Sequence, residues 1–195
     1  MEQTISHGCG CAHKAEKPSE ILSDEHRVIE RVLSGLEQLT KMPIAGSLEH
    51  WRKALDFFRH FADQCHHFKE ESVLFPALEA HGIPCEGGPV GMMLQEHEEG
   101  RDHVRSMIAA VELLEAGDVA AQDSLINHAR AYSTLLREHI QKEDDILFRM
   151  ADEVIPEDEQ REILKRFEAH EAEEMGPGAH EKYLKIAAEL EGATG

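Results

Sequence analysis

The stretch Cys65-His66-His67-Phe68-Lys69-Glu70-Glu71-Ser72-Val73-Leu74-Phe75, CHHFKEESVLF, reads as helix and carries two histidines, each followed four residues later by a glutamate. Residues i and i+4 share a helix face, so His66 pairs with Glu70 and His67 with Glu71, in adjacent registers. An offset of 73 residues brings the stretch back as HIQKEDDILF, with His66 over His139, Glu70 over Glu143, Leu74 over Leu147 and Phe75 over Phe148. His67 falls over Ile140, which cannot bind a metal, so the repeat selects His66 and Glu70 as the pair of interest. His67, Glu71 and Asp144 read as supporting or surface groups; partners of that kind commonly orient metal-bound imidazoles.

Outward from this stretch the chain is helical throughout. Pro18-Ser19 precede a segment in which Ile21, Leu22, Val28, Ile29, Val32, Leu33, Leu36 and Leu39 recur at helical spacing. Pro43 and Gly46 break it, Ser47 is placed to cap a long second helix, and GIPCEGGPVG (82–91) is turn chemistry. A third helix runs to Gly117 and a fourth ends before Pro156. No strand alternation of useful length appears. Short connections between long amphipathic helices favour antiparallel neighbours, so the expected architecture is an all-α, up-down-up-down four-helix bundle. The bundle is expected over 18–155, after a mobile tail (1–17), with a C-terminal extension (156–195) of two shorter helices split at Gly176-Pro177-Gly178.

The 195 residues suffice for one domain. With 39 acidic against 20 basic residues the formal net charge is -19, which repels phosphate backbones and anionic lipid, so neither nucleic acid nor membrane is an expected partner. There is no long apolar run and no signal-peptide core at the N-terminus, and the four cysteines are sparse and irregularly spaced. A reducing, cytoplasmic setting fits. The tail HGCGCAH (7–13) offers Cys9 and Cys11 to a soft metal or to redox chemistry, although a disordered tail is the simpler reading.

Fourteen histidines, several beside glutamates, point to metal. In the fourth helix Tyr132, Leu135, His139, Glu143, Ile146 and Met150 follow one buried stripe, with polar groups at its middle. Buried His and Glu are costly unless hydrogen-bonded or bound to a cation, so two such pairs on two hairpins suggest one shared ion site. The first and third helices echo each other more weakly: DEHRVIERV holds His26 and QEHEEGRDHV holds His97, at an offset of 71. Four imidazoles (His26, His66, His97, His139) and two carboxylates (Glu70, Glu143) suit Fe, Mn or Zn over Ca or Mg, and six ligands exceed one tetrahedral zinc. His60, His103 and His128 have no repeat partner and read as hydrogen-bonded or exposed. The Glu-x-x-His of ferritin-like centres and the His-Glu-x-x-His of zinc proteases are both missing.

The DEH with His26, HHFKEESVLFPAL, QEHEEGR and HIQKEDDILF together strongly resemble the hemerythrin-like, HHE cation-binding family. The resemblance implies a non-haem di-iron centre in a four-helix bundle. His26 and His66 would serve one iron and His97 and His139 the other, with Glu70 and Glu143 bridging both. It further implies a protein that binds or reacts with oxygen, peroxide or nitric oxide, or, as an alternative, one that stores or donates iron like the iron–sulfur repair relatives. Oxygen carriers of the family have a second histidine one turn after the third-helix ligand; here that position is Arg101. Glu30, Glu174, His180 and Glu181 are candidates to complete the set, and a Glu30–Arg101 ion pair is the plainer alternative. A less saturated iron favours peroxide chemistry over reversible carriage.

Overall fold

The structure, a computed structural model, describes the backbone of residues 17–176 and 179–193, and not the side chains of 174, 175, 179, 180 and 193; the tail with Cys9 and Cys11 lies outside the described residues. Among these residues every regular element is a helix. Helix α1 is Pro18–Leu39, with Pro at its first turn, where no N–H is needed, and Glu20 accepting the Lys17 N–H at 3.3 Å. The second rod begins as α2 (Leu48–Phe57) and ends as α3 (Phe75–Ala80), with π-wound stretches Phe58–His67 and Glu70–Leu74 between them. Helix α4 is Pro89–Glu115, and Gly117, at φ 92°, supplies the left-handed turn that ends it. The fourth rod joins α5 (Ala121–Lys142) to α6 (Phe148–Val154) through a π-wound Glu143–Leu147. Helix α7 (Glu157–His170) continues π-wound to Met175, and α8 is Ala179–Ala193.

The π turns revise the expected stripe. In the fourth rod Leu147 and Ala151 are buried after Glu143, whereas Ile146 is 54% exposed and Met150 only half-buried. The wider turn shifts the inward face by one residue. Ser47 also differs from expectation: its hydroxyl donates to Pro43 and Ile44 carbonyls at 2.9 and 3.1 Å rather than capping α2.

Helix α4 lies along α5, α1 packs on both α5 and α2, and α8 covers α1 and α2. Gly35 permits that last approach, since a Cβ there would stand 2.9 Å from Leu190 Cβ. Helix α7 docks on the second rod, where Arg166 donates to the Ser72 carbonyl (2.7 Å) and the His170 ring stacks on Phe68 at 3.6 Å. The apolar interior forms two clusters. One gathers Leu33, Leu36, Phe57, Phe58, Phe61, Leu125 and Tyr132; the other gathers Leu22, Leu74, Phe75, Leu78, Leu147, Phe148 and Phe167. Phe57, Phe58 and Phe61 are at most 1% exposed, and burial of each contributes roughly 2–3 kcal/mol by area. Between the clusters lies a buried polar layer of His, Glu and one Lys. Among the described residues no helix is long and apolar enough to cross a membrane.

Candidate metal centre

Each of the four long rods contributes to this layer. Helix α1 brings His26, the second rod His66, His67 and Glu70, α4 His97, and the fourth rod His139 and Glu143, all at most 5% exposed. Glu70 and Glu143 each open a π-wound stretch, and their carbonyls accept the N–H of Phe75 and Phe148, five residues on. Pro76, lacking an N–H, favours this register in the second rod; Arg149 occupies the matching position in the fourth, so proline is not required for it.

The ring nitrogens follow one rule. Nδ1 of His26 pairs with Asp144 (2.9 Å), of His66 with Glu25 (2.9 Å), of His67 with Asp63 (3.4 Å), of His97 with Glu71 (2.6 Å) and of His139 with Glu96 (3.0 Å). An ionised carboxylate only accepts, so in each ring Nδ1 carries a hydrogen and Nε2 is the nitrogen turned towards the layer. Cations stand behind the carboxylates: Arg27 on Asp144, Lys69 on Glu25, Lys142 on Glu96, and Arg101 on both Asp63 (2.8 Å) and Glu71 (2.6 Å). This is the outer arrangement that fixes tautomer and ring orientation at metal sites.

The Nε2 atoms converge on Glu70 and Glu143. His66 and His97 approach the two Glu70 oxygens at 3.5 Å each, and His26 and His139 approach Glu143 Oε2 at 3.3 and 3.1 Å. These approaches lack hydrogen-bond alignment: both oxygens of each glutamate, and Nε2 of His26 and His67, are buried with no hydrogen-bond partner. Nε2 of His97 and of His139 lie 3.0 Å apart, where two bare nitrogens repel unless a proton or cation stands between them. Two sets of atoms are close enough to share an ion: His26, His66, Glu70 and Glu143, and His67, His97, His139 and Glu70. Leaving so many buried polar groups unpaired is costly, and a cation in each set removes that cost. The imidazole-rich donor set fits Fe, Mn or Zn and not Ca or Mg.

The electrostatics agree. Burial, reinforced by neighbouring histidines, holds His97 well below its ordinary range, and burial takes His66 down to about 4 against the pull of Glu25. Burial and the adjacent Glu143 raise Glu70. Burial opposes ionisation of Glu143 too, but His139 and His26 keep it low, and His139 rises to about 9 against its own burial because Glu143 faces it. The protein's own groups therefore retain protons in this layer, and a bound cation would expel them.

All six residues expected from the sequence are brought together here. His67, expected as a supporting or surface group, is buried, its ring stacks on His97 at 3.8 Å, and its Nε2 is unpartnered and close enough to share an ion with His97, His139 and Glu70. Of the residues proposed to complete the set, Glu30 and Glu181 do not join it. Glu30 pairs with Arg27 at 2.8 Å, so the Glu30–Arg101 ion pair is absent; Glu181 is exposed beside α2; the side chains of Glu174 and His180 lie outside the described residues. Sequence reasoning missed Glu25, Asp63 and Glu96. Glu25 and Glu96 were detectable, because each precedes the histidine of the DEH and QEH echo. His60 bonds the Asp56 carbonyl (2.9 Å), and His103 meets His128 at 3.0 Å, both away from the layer. Glu25, Cys65 and Glu171 form a further close group, but Lys69 already bonds both glutamates there.

Comparison with known proteins agrees with this geometry. The chain is 25% identical, over 90% of its length and 69% of theirs, to "Uncharacterized protein Rv1995" of Mycobacterium tuberculosis (strain ATCC 25618 / H37Rv) and "Uncharacterized protein Mb2018" of Mycobacterium bovis. No solved structure matches it. The model of the hemerythrin HHE cation binding domain matches residues 17–151, which span every residue of the polar layer except Glu171 of the Lys69 group. The chain belongs to the hemerythrin HHE cation-binding family.

Proposed function

We propose that the protein holds two iron ions bridged by Glu70 and Glu143, with His26 and His66 on one and His67, His97 and His139 on the other, and that this centre binds or reacts with oxygen, peroxide or nitric oxide. The observation that carries the reading is the convergence of five carboxylate-oriented imidazoles on two buried, unpartnered glutamates. A pair of irons supplies two redox-active Lewis acids side by side. The chain does the rest. Asp144, Glu25, Asp63, Glu71 and Glu96 hold the rings with Nε2 inward, and the two apolar clusters exclude bulk water from the layer. The ion with two histidines has fewer protein ligands than its neighbour and is the natural place for an exogenous ligand. Storage or donation of iron needs ligands that release readily, and these are clamped by a second and third ring of charge.

The up-down-up-down bundle over 18–155, with 156–195 as an extension upon it, belongs to the same reading, supported by the packing of α4 along α5 and of α1 on α5 and α2. Cys65 and Cys85 are free thiols, as suits a reducing cytoplasm. The test is metal analysis with ultraviolet-visible spectra of the full chain purified with iron supplied, before and after oxygen. About two irons per chain and an oxygen-dependent near-ultraviolet band are expected. Less than about one iron, or retention unchanged in a His66→Ala/His139→Ala variant, overturns it.

A further inference from the structure

A cavity of about 490 Å³ opens between the second rod, α4 and α5, and its inner wall is His67 with Asp63 and Arg101. That volume lies in the range of small-molecule sites, roughly 300–1,000 Å³, which are apolar with a few placed polar groups. The floor is of this kind: Phe58, Val104, Ile108 and Tyr132. Its charged groups are three arginines, Arg59, Arg101 and Arg105, against Asp63 and Glu112, in a chain whose net charge is -19. Arg101 is committed to Asp63, Glu71 and Glu98. Arg105, at the rim, bonds only the exposed Asp102 one turn back, and Arg59 pairs with no acid among the described residues. Glu112 lines the same rim, and Asp56 and Glu115 line the next groove with Arg59.

We propose that this cavity binds an amphipathic organic anion, its carboxylate-like head between Arg59 and Arg105 and its apolar body on Phe58, Val104, Ile108 and Tyr132, with the inner end at His67. Two exposed guanidiniums at the mouth of an apolar pocket match such a molecule and reject both a neutral polar ligand and a cation. The proposal goes beyond the di-iron reading and does not need it: the pocket meets the centre only at its inner end, through His67, Asp63 and Arg101, and the two arginines offered to the head group bond none of the residues of the layer.

The test is calorimetric titration of octanoate, and of 1-octanol as its neutral counterpart, into the full chain with and without iron. Octanoate is expected to saturate at one site, with affinity rising about fourfold per added methylene until the cavity is full. Arg59→Gln/Arg105→Gln, both at exposed positions, should weaken octanoate by about tenfold or more and leave octanol within about twofold. Ala109→Trp, at the exposed edge of the cavity, should weaken both ligands, and Glu112→Gln should strengthen octanoate alone. Octanoate binding that is absent, no tighter than octanol's, or indifferent to the arginine pair overturns the proposal; should Ala109→Trp not fold, the arginine variant decides alone. A chain that binds octanoate but retains no iron refutes the di-iron reading only, and one that retains iron but binds no octanoate refutes this pocket only.

Discussion

The two halves of the polar layer are built to one plan and differ at one place. Glu25 on His66 corresponds to Glu96 on His139, Asp144 on His26 to Glu71 on His97, and Lys69 on Glu25 to Lys142 on Glu96. The two buried glutamates, the carboxylate braces of the imidazoles and the lysines behind those braces all repeat. What does not repeat is His67 with Asp63: at the same offset stand Ile140 and Leu136, both buried in the apolar core. Arg27 backs Asp144 as Arg101 backs Glu71, but from a different place in the helix, since Glu30 holds the position on α1 equivalent to Arg101. One hairpin has thus exchanged a patch of hydrophobic core for an imidazole and its carboxylate, α4 of the other supplies the guanidinium that holds that carboxylate, and the cavity opens against them. The symmetric part brings the buried glutamates and four of the imidazoles together; the asymmetric part adds His67 and Asp63 on the side where the cavity opens.

The sharpest challenge to this comparison is Glu70→Ala, because Glu70 belongs to both sets. Iron content should fall from about two per chain to near zero, and a variant that keeps one iron shows that the halves load independently. His67→Ala should remove the three-histidine ion alone and leave about one iron; full retention there returns His67 to a supporting role. A third effect separates the paired braces. Burial opposes ionisation of Glu25, yet Lys69 and His66 hold it at about 2 against an ordinary 4.5. Its contribution, of order 2–3 kcal/mol, is complete above about pH 4.5 and is lost as the pH falls towards 2. Glu96 is also lowered, chiefly by His139, but it is more exposed to solvent screening. Glu25→Gln should therefore flatten the acid limb of stability, followed by circular dichroism on the metal-free chain, far more than Glu96→Gln; equal effects erase the distinction. Smallest is Arg101→Gln, which leaves Asp63 and Glu71 without their cation and should weaken the three-histidine ion by about tenfold in chelator competition, with the other ion unmoved.

Much of this was legible in the chain. Helical periodicity and the turn residues placed the rods, and the 73-residue repeat isolated His66, Glu70, His139 and Glu143 from fourteen histidines and many acids. The same repeat concealed His67. Comparing halves rewards what they share, so a residue whose value lies in the difference was set aside when it fell over Ile140. Ideal α geometry points the same way, because successive side chains diverge by about 100° and only one of His66 and His67 would face inward. The π winding of Phe58–His67 narrows that angle and turns both rings into the layer. No glycine or proline within the stretch announces it. The missing histidine at Arg101 was the available clue: an arginine there calls for carboxylates, and Asp63 and Glu71, the ones it holds, brace His67 and His97.

The two apolar clusters on either side of the polar layer imply a mechanical role for whatever ion occupies it. Each cluster is a core in its own right, and the rods that join them pass through a waist of buried, unpartnered carboxyl groups and wide turns. A cation there rivets the ends into one cooperative body. Stripped of it, the ends are free to open one before the other, and amide hydrogens of Glu70–Leu74 and Glu143–Leu147 should exchange ahead of those in either cluster.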